Sequence, residues 1–254
     1  MNLEEVRQSL DSAGIKPGDI LMVHGDAIVA AQLNLNSLDK VTSLLLEIVS
    51  YLGNEGTLVI PSFTYSFTKS ELFDVAKSES AVGIFSEKFR LLDGVVRSKH
   101  PIFSVCAIGK YKNDFENSDC IDSFGKDSCF ALIHKLDGKV MNLGCEFMIT
   151  FAHYVEQMHA VSYRYFKDFH GSVTLNGKNT SACARYFVGD PNIQYHLNLA
   201  RIKKLLVAEN KLKIVPFGRF ASYTIKANDF YQYAKYMLEQ DEYSLIEEGN
   251  GKRR

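Results

Sequence analysis

The chain has 254 residues, 46% of them hydrophobic and 23% charged, with 29 basic against 30 acidic residues and a formal charge of −1. This composition excludes a disordered chain, and the charge balance argues against a general nucleic-acid binder, which carries a basic surplus or patch. The length suits one domain over residues 1–254, with core enough to fold without staples.

No stretch approaches the about 20 apolar residues of a membrane span. The charged start Met1-Asn2-Leu3-Glu4-Glu5-Val6-Arg7 has no apolar run behind it, unlike a secretory signal. Cys106, Cys120, Cys129, Cys145 and Cys183 are odd in number and form no CxxC pair. That usage predicts reduced thiols, no metal centre and a cytoplasmic protein. The basic end Lys252-Arg253-Arg254 reads as a solvated tail.

Residues 2–13 carry Leu3, Val6 and Leu10 at helical spacing and stop at Gly14, which predicts a capped helix. The turn Lys16-Pro17-Gly18-Asp19 leads into Ile20-Leu21-Met22-Val23, a short apolar run that reads as a buried strand. Residues 37–52, with Leu38, Val41, Leu44, Leu45 and Val49 on one face, predict an amphipathic helix closed by Gly53. Thr57-Leu58-Val59-Ile60 follows as a strand stopped by Pro61, and this order predicts a βαβ unit. Residues 104–108 and 139–143 add strands, with a helix over 128–136 capped by Asp127 or Ser128. Another helix is expected over 153–163. Between Phe169 and Tyr186 the pattern changes to a hairpin about Asn176-Gly177. Residues 194–209 and 229–239 read as amphipathic helices. The fold expected is α/β, a mainly parallel central sheet flanked by helices, with an antiparallel excursion near residues 169–188.

The chain contains no GxGxxG, no phosphate-loop lysine motif, no GxSxG and no HExxH. Chemistry must rest on other residues. Thr150-Phe151-Ala152-His153-Tyr154-Val155-Glu156 follows the strand ending at Leu143-Gly144, where parallel sheets open their ligand crevices. His153 and Glu156 are three apart on one helical face, a spacing that suits a carboxylate-oriented general base. Thr150 would cap the helix or donate to an oxyanion; a surface pair behind a threonine cap is the plain alternative. A second cluster, Arg97-Ser98-Lys99-His100-Pro101-Ile102-Phe103-Ser104, reads either as a loop holding a phosphorylated ligand or as a solvated basic turn. A third, Asp122-Ser123-Phe124-Gly125-Lys126-Asp127-Ser128, offers free N–H groups at a helix start or is simply a capped turn.

In this order the clusters resemble the aminoglycoside 3-N-acetyltransferase family nearly end to end. Gly18-Asp19-Ile20-Leu21-Met22-Val23-His24 is similar to the family's opening strand, and Gly56-Thr57 through Ser62-Phe63-Thr64 with Val82-Gly83 continues the match. Arg97-Ser98-Lys99-His100-Pro101 with Ser104-Val105 resembles its RSxHPxxSV segment, and Ser123 to Ser128 its PFGxDSP segment. Thr150, His153 and Glu156 fall on its TxxHxxE motif. Where the family continues its first strand with a histidine and two serines, this chain has His24-Gly25-Asp26.

The resemblance implies an N-acetyltransferase that uses acetyl-CoA, with His153 as base, Glu156 orienting it and Thr150 beside the oxyanion. It implies a coenzyme A path along Ser104, Phe124, Gly125 and Ser128, with His24 at its start and Arg97, Lys99 or His100 near phosphates. Direct transfer in a ternary complex is expected, and a ping-pong route through Cys145 is its competitor. The near-neutral charge lacks the acidic field a polycationic acceptor would favour. Ser162-Tyr163-Arg164-Tyr165-Phe166-Lys167 supplies cations and rings, which with Thr64 are expected to hold a nucleotide-linked amino sugar destined for a surface glycan. The alternatives are an aminoglycoside acceptor, as in antibiotic resistance, and an inactive binding protein of the same fold.

Overall fold

Helix α1 (Leu3–Ser12) starts at a reciprocal cap. Asn2 Oδ1 accepts from the Glu5 backbone at 2.9 Å, and Glu5 Oε2 accepts from the Asn2 backbone at 2.7 Å. This computed structural model describes residues 1–36 and 39–248. Ser37 and Leu38, expected to open the second helix, and the tail Lys252-Arg253-Arg254 lie outside the described residues.

The chain continues through β1 (Ile20–Gly25), a 3-10 helix (Ala27–Gln32), α2 (Lys40–Leu52), β2 (Thr57–Pro61), β3 (Phe73–Asp74) and α3 (Ile84–Arg90). Then come β4 (Val96–Arg97), β5 (Val105–Gly109), α4 (Lys112–Glu116), α5 (Cys129–Lys135), β6 (Lys139–Leu143) and α6 (Phe151–Met158). The last part holds β7 (Arg164–Leu175), β8 (Lys178–Gly189), β9 (Tyr195–Leu197), α7 (Ala200–Ala208), β10 (Lys213–Phe217), β11 (Phe220–Lys226), α8 (Ala227–Gln240) and β12 (Ile246–Glu248).

The central sheet has the order β10-β11-β6-β1-β2-β5-β4. Its middle is parallel, β6 with β1 and β1 with β2, as the βαβ reading requires. The outer pairings, β2 with β5, β5 with β4, β6 with β11 and β11 with β10, are antiparallel. Helices cover both faces. Leu21, Val23, Leu58, Ile60 and Met141 pack toward α1, α2 and α3, whereas Ile20, Met22, Val59 and Val140 pack toward α5, α6 and α8. Burial on both sides explains why these strands read as unbroken apolar runs.

Two helices are shorter than their periodicity predicts. The helix expected over 153–163 ends at Met158, because Ala160 turns into the left-handed region (φ 48) and the alternating aromatic run beyond it enters β7. The one expected over 194–209 begins only at Ala200, since residues 195–197 pair with β12. The hairpin β7–β8 is longer than expected. Its two-residue turn puts Asn176 (φ 50) and Gly177 (φ 75) both at positive φ, the conformation that favours this dipeptide.

Candidate active site

The parallel strands β1 and β6 end side by side, with Gly25 opposite Leu143. Gly144 (φ 73) turns the chain there, and the segment that follows delivers α6 across the strand ends. Three residues into that helix, His153 Nδ1 lies 2.6 Å from Glu156 Oε2. The Glu156 side chain is 0% exposed and that of His153 19%. Tyr163 Oη donates to Glu156 Oε1 at 2.8 Å, and Arg164 Nε forms an ion pair with Oε2 at 3.0 Å.

Arg164 Nη2 also lies 3.0 Å from His153 Nδ1. The guanidinium has no lone pair to offer and a carboxylate has no proton, so the two contacts at Nδ1 cannot both be hydrogen bonds. The short approach to the carboxylate places the proton on Nδ1, which leaves the lone pair of the neutral imidazole on Nε2. A general base needs that tautomer. Burial is the largest influence on the Glu156 carboxyl and pushes its pKa up. The His153 hydrogen bond, the adjacent charges and the Tyr163 hydroxyl outweigh it, so the net shift is downward. Glu156 therefore remains the anion that orients the ring.

Thr150, one turn before His153, makes no capping hydrogen bond. It lines a cavity of about 470 Å³ at the strand ends, together with His24, Asp26, Phe63, Phe85, Ser86 and Cys145. A series of edge-on and tilted aromatic contacts joins this cavity to the imidazole. Phe63 meets Phe103 at 5.1 Å, Phe103 meets Phe124 at 4.9 Å, and Phe124 stands edge-on to His153 at 5.5 Å. His24 is held neutral, its pKa lowered to about 4 by burial, and its Nε2 has no partner among the described residues.

Several residues expected to touch ligands serve the scaffold instead. Arg97 is 6% exposed, and its guanidinium donates to Ser104 Oγ at 3.1 Å and to the carbonyls of Ser78 and Ser62 at 2.5 and 2.6 Å. With its donors used by protein acceptors, it is no phosphate ligand. Ser104, fully buried, accepts from Arg97 and donates to the Ser62 carbonyl at 2.8 Å. His100 is buried too, and its Nδ1 accepts from the Ile102 and Phe103 backbones at 3.2 and 3.1 Å. Lys99 reaches Asn117 on the surface. The apparent basic loop is thus an edge strand and a turn whose cations are buried or tied back. Ser128 accepts from the Ala131 backbone and caps α5, and Thr64 donates to the Pro101 carbonyl. Gly125 is needed for space, since a Cβ there would lie 2.6 Å from Asp122. Phe124 is buried, and its visible role is to pack the imidazole.

The expected sugar-nucleotide platform loses Tyr163 and Arg164 to the interior, while Tyr165, Phe166 and Lys167 stay exposed. Tyr163 and Arg164 face inward onto Glu156, Phe166 packs on Phe187, and Lys167 lies over Phe169. Of the four expected substrate residues Thr64, Tyr163, Arg164 and Tyr165, Tyr165 alone is exposed. The segment is divided at Arg164: Tyr163 and Arg164 face Glu156, and the residues after them are exposed. Cys145 donates to the His24 carbonyl at 3.3 Å, and burial raises its thiol pKa, which does not make an activated nucleophile.

Sequence reasoning missed Phe85 and Ser86 on the cavity wall. The signal was Gly25: a Cβ there would lie 2.5 Å from the Phe85 ring, so the missing side chain admits the phenyl group. Among the described residues no group of three or more His, Cys, Asp and Glu is arranged to hold a metal ion, and no helix is long and apolar enough to cross a membrane.

A family model described as aminoglycoside 3-N-acetyltransferase matches residues 22–239. The chain is 30% identical over 198 residues to aminoglycoside N(3)-acetyltransferase IV of Salmonella sp, an alignment covering 73% of this chain and 72% of that protein. The apoenzyme of aminoglycoside acetyltransferase AAC(3)-IVa superposes with a TM-score of 0.78 at 25% identity, over 96% of this chain and 90% of that one. A histidine-to-alanine variant of AAC(3)-IVa in complex with a gentamicin gives 0.77 at 25% identity, over 96% and 90%. AAC-IIIb with CoASH, at 19% identity, shares the fold with a TM-score of 0.82 over 100% of this chain and 99% of that one.

Proposed function

The chain belongs to the aminoglycoside 3-N-acetyltransferase family, and on that premise we propose that it transfers acetyl from acetyl-CoA to an amino group of an aminoglycoside, with His153 as general base. The observation that carries this reading is the 2.6 Å approach of His153 Nδ1 to the buried Glu156 carboxylate. Glu156, itself locked by Tyr163 and Arg164, holds Nδ1–H and leaves Nε2 to take a proton from the acceptor amine. The proton gained on Nε2 makes an imidazolium paired with a buried carboxylate. On this reading the chain is one acetyltransferase domain.

The cavity suits the donor's pantetheine arm. Its wall combines an apolar side of Pro61, Phe63, Val82, Ile84 and Phe85 with polar groups from His24, Asp26, Tyr65, Ser86 and Thr150, and it contains no Lys or Arg. The donor's phosphates would therefore lie outside it. Acetyl-CoA supplies an activated acyl group with a good leaving thiolate, so no acyl-enzyme is needed. The Thr150 hydroxyl, unused as a cap, would meet negative charge developing on an acyl oxygen. Asp26 is the single ordinarily charged residue on the wall, and a carboxylate there favours a cationic acceptor over an anionic one.

The gentamicin complex of a 25% identical relative supports an aminoglycoside acceptor. The nucleotide-linked amino sugar loses its main support with the engagement of Tyr163 and Arg164 at Glu156. A thiol-release assay with acetyl-CoA decides between them. Turnover of gentamicin or apramycin without turnover of nucleotide-linked amino sugars is expected. The reverse pattern would overturn the acceptor assignment.

A further inference from the structure

At the opposite end of the central sheet, a second cavity of about 490 Å³ gathers Lys16, Lys139, Lys211, Lys213 and Lys226 with Asp19, Asp137 and Asp229. Five lysines against three aspartates is a positive surplus, in a chain whose net charge is −1. It lies at the starts of β1 and β6, whereas His24 and the acetyl-transfer cavity lie at the other end of the same strands.

The register explains how the cations converge. Lys213 on β10 is opposite Thr224 on β11, and Lys226, two residues farther along β11, is opposite Lys139 on β6. Residues two apart and their cross-strand partners share a face, so these four side chains occupy one face of three adjacent strands. Lys139 donates to the Gly14 carbonyl at 2.8 Å and to Asp19 Oδ2 at 2.5 Å. The stem of Lys213 packs against the same glycine, 3.9 Å from where a Cβ would stand. Two lysines directly opposed across a ladder repel each other, and such a pair persists when a counter-charge lies between or beside it.

The protein's own acids only partly supply that charge. Lys226 pairs with Asp137 at 3.4 Å and Lys211 with Asp229 at 3.3 Å, both between half-open side chains. Lys16 and Lys213 have no side-chain ion pair among the described residues. An independent feature points the same way. Thr224, 4% exposed and on the cavity wall between these lysines, has a buried hydroxyl with no hydrogen-bond partner. A buried hydroxyl without a partner is costly, and an oxyanion would accept from it. Helix α8 also begins at this cavity without a side-chain cap, which adds the positive end of its dipole, although Asp229 lies in its first turn.

We propose that this cavity is a binding site for a compact, multiply charged oxyanion, a pyrophosphate or phosphomonoester group, held by Lys213, Lys16 and Lys226 with Thr224 donating from its floor. Its place across the sheet makes it distinct from the acetyl-CoA cavity. Binding there would stabilise the edge hairpin β10–β11 and would not take part in acetyl transfer.

Calorimetry and thermal melts with inorganic pyrophosphate, in saturating coenzyme A to block the donor's own phosphate contacts, test the proposal. Pyrophosphate should bind one site per chain and raise Tm, while sodium chloride of equal ionic strength should not. Lys213→Gln and Thr224→Val should each weaken binding, the lysine change by about tenfold or more, since it removes a charge-assisted bond. Both variants should keep wild-type kcat for acetyl transfer, which also verifies that they fold. A second lysine change, Lys16→Gln, should weaken binding further. Absence of binding, displacement of pyrophosphate by coenzyme A, or binding equal in wild type and in folded Lys213→Gln would overturn the assignment.

Discussion

Glu156 presents Oε2 to Nδ1 of His153 at 2.6 Å from a position with no solvent exposure. An anion buried this way stays charged only because its partners hold it, so the orientation of the imidazole depends on the carboxylate's neighbours as much as on its own presence. Replacing His153 by Asn should lower kcat by about 100-fold or more, the range typical of a lost general base. Coenzyme A affinity should stay close to wild type. Steady-state kinetics beside calorimetry separate the two quantities, and a turnover within a few-fold of wild type would remove His153 from the mechanism.

Tyr163 and Arg164 act through Glu156. Glu156→Gln leaves the Arg164 guanidinium, whose side chain is 6% exposed, without its counter-charge, a loss of about 3–5 kcal/mol when one partner of a buried pair is removed. Tyr163→Phe removes one hydrogen bond to the carboxylate and should cost about 1–2 kcal/mol, with a smaller fall in kcat. Denaturant melts and kinetics on the same preparations check the order: Glu156→Gln the more destabilised, His153→Asn the less active.

Acid should weaken the fold before its carboxylates titrate. Burial lowers the pKa of His100 from 6.5 to about 4, and its Nδ1 is committed as an acceptor to two backbone N–H groups. Above 6.5 the folded and unfolded imidazoles are both neutral, and the group has no effect on pH dependence. As pH falls from 6.5 to 4 the unfolded chain takes up a proton that the folded one refuses, a loss of about 3 kcal/mol by linkage. Glu156 adds to this at lower pH, because its depressed pKa gives stability that disappears as the carboxylate is protonated. Stability curves from pH 8 to 4 should therefore slope downward from near neutrality, and His100→Gln should flatten the upper part of that slope.

Arg97 is expected to behave as a structural residue. Arg97→Ala strands the Ser78 carbonyl, takes one donor from the Ser62 carbonyl and empties a buried volume over Phe73, so a stability loss of about 3 kcal/mol or more should follow. Lys99→Ala, on the surface, should change neither stability nor coenzyme A affinity measurably. A tenfold loss of coenzyme A affinity in folded Lys99→Ala would restore the phosphate-loop reading.

Cys145 lies on the cavity wall, yet its thiol donates to the His24 carbonyl and its pKa is raised by burial. Cys145→Ser should keep activity within a few-fold of wild type. Mass spectrometry of enzyme quenched during turnover should find no acetylated Cys145. Loss of activity together with a trapped acetyl group would establish the ping-pong route.

The parts of the fold that local physics controls were legible in the residues alone. Unbroken apolar runs at residues 20–23 and 57–60 marked strands covered on both faces, Asn176-Gly177 marked a two-residue turn, and the spacing of His153 and Glu156 placed them on one helical face. Tertiary structure decided which polar residues are free to meet a ligand. Arg97, His100 and Ser104 look like a ligand loop in sequence, but Arg97 and Ser104 satisfy the Ser62 carbonyl brought near from the end of β2, and His100 accepts from the backbone of its own turn. Tyr163 and Arg164 both meet Glu156 because helix α6 stops at Met158 and the chain turns back past the carboxylate before β7 begins. The lysines of the far cavity lie as far apart as Lys16 and Lys226; the register of β6, β10 and β11 brings Lys139, Lys213 and Lys226 to one face, and the turns before β1 and β10 add Lys16 and Lys211. A residue type and its spacing fix what a side chain can donate or accept. Only the packed chain fixes whether another protein group has already taken that capacity, because buried polar groups are paired before any ligand arrives.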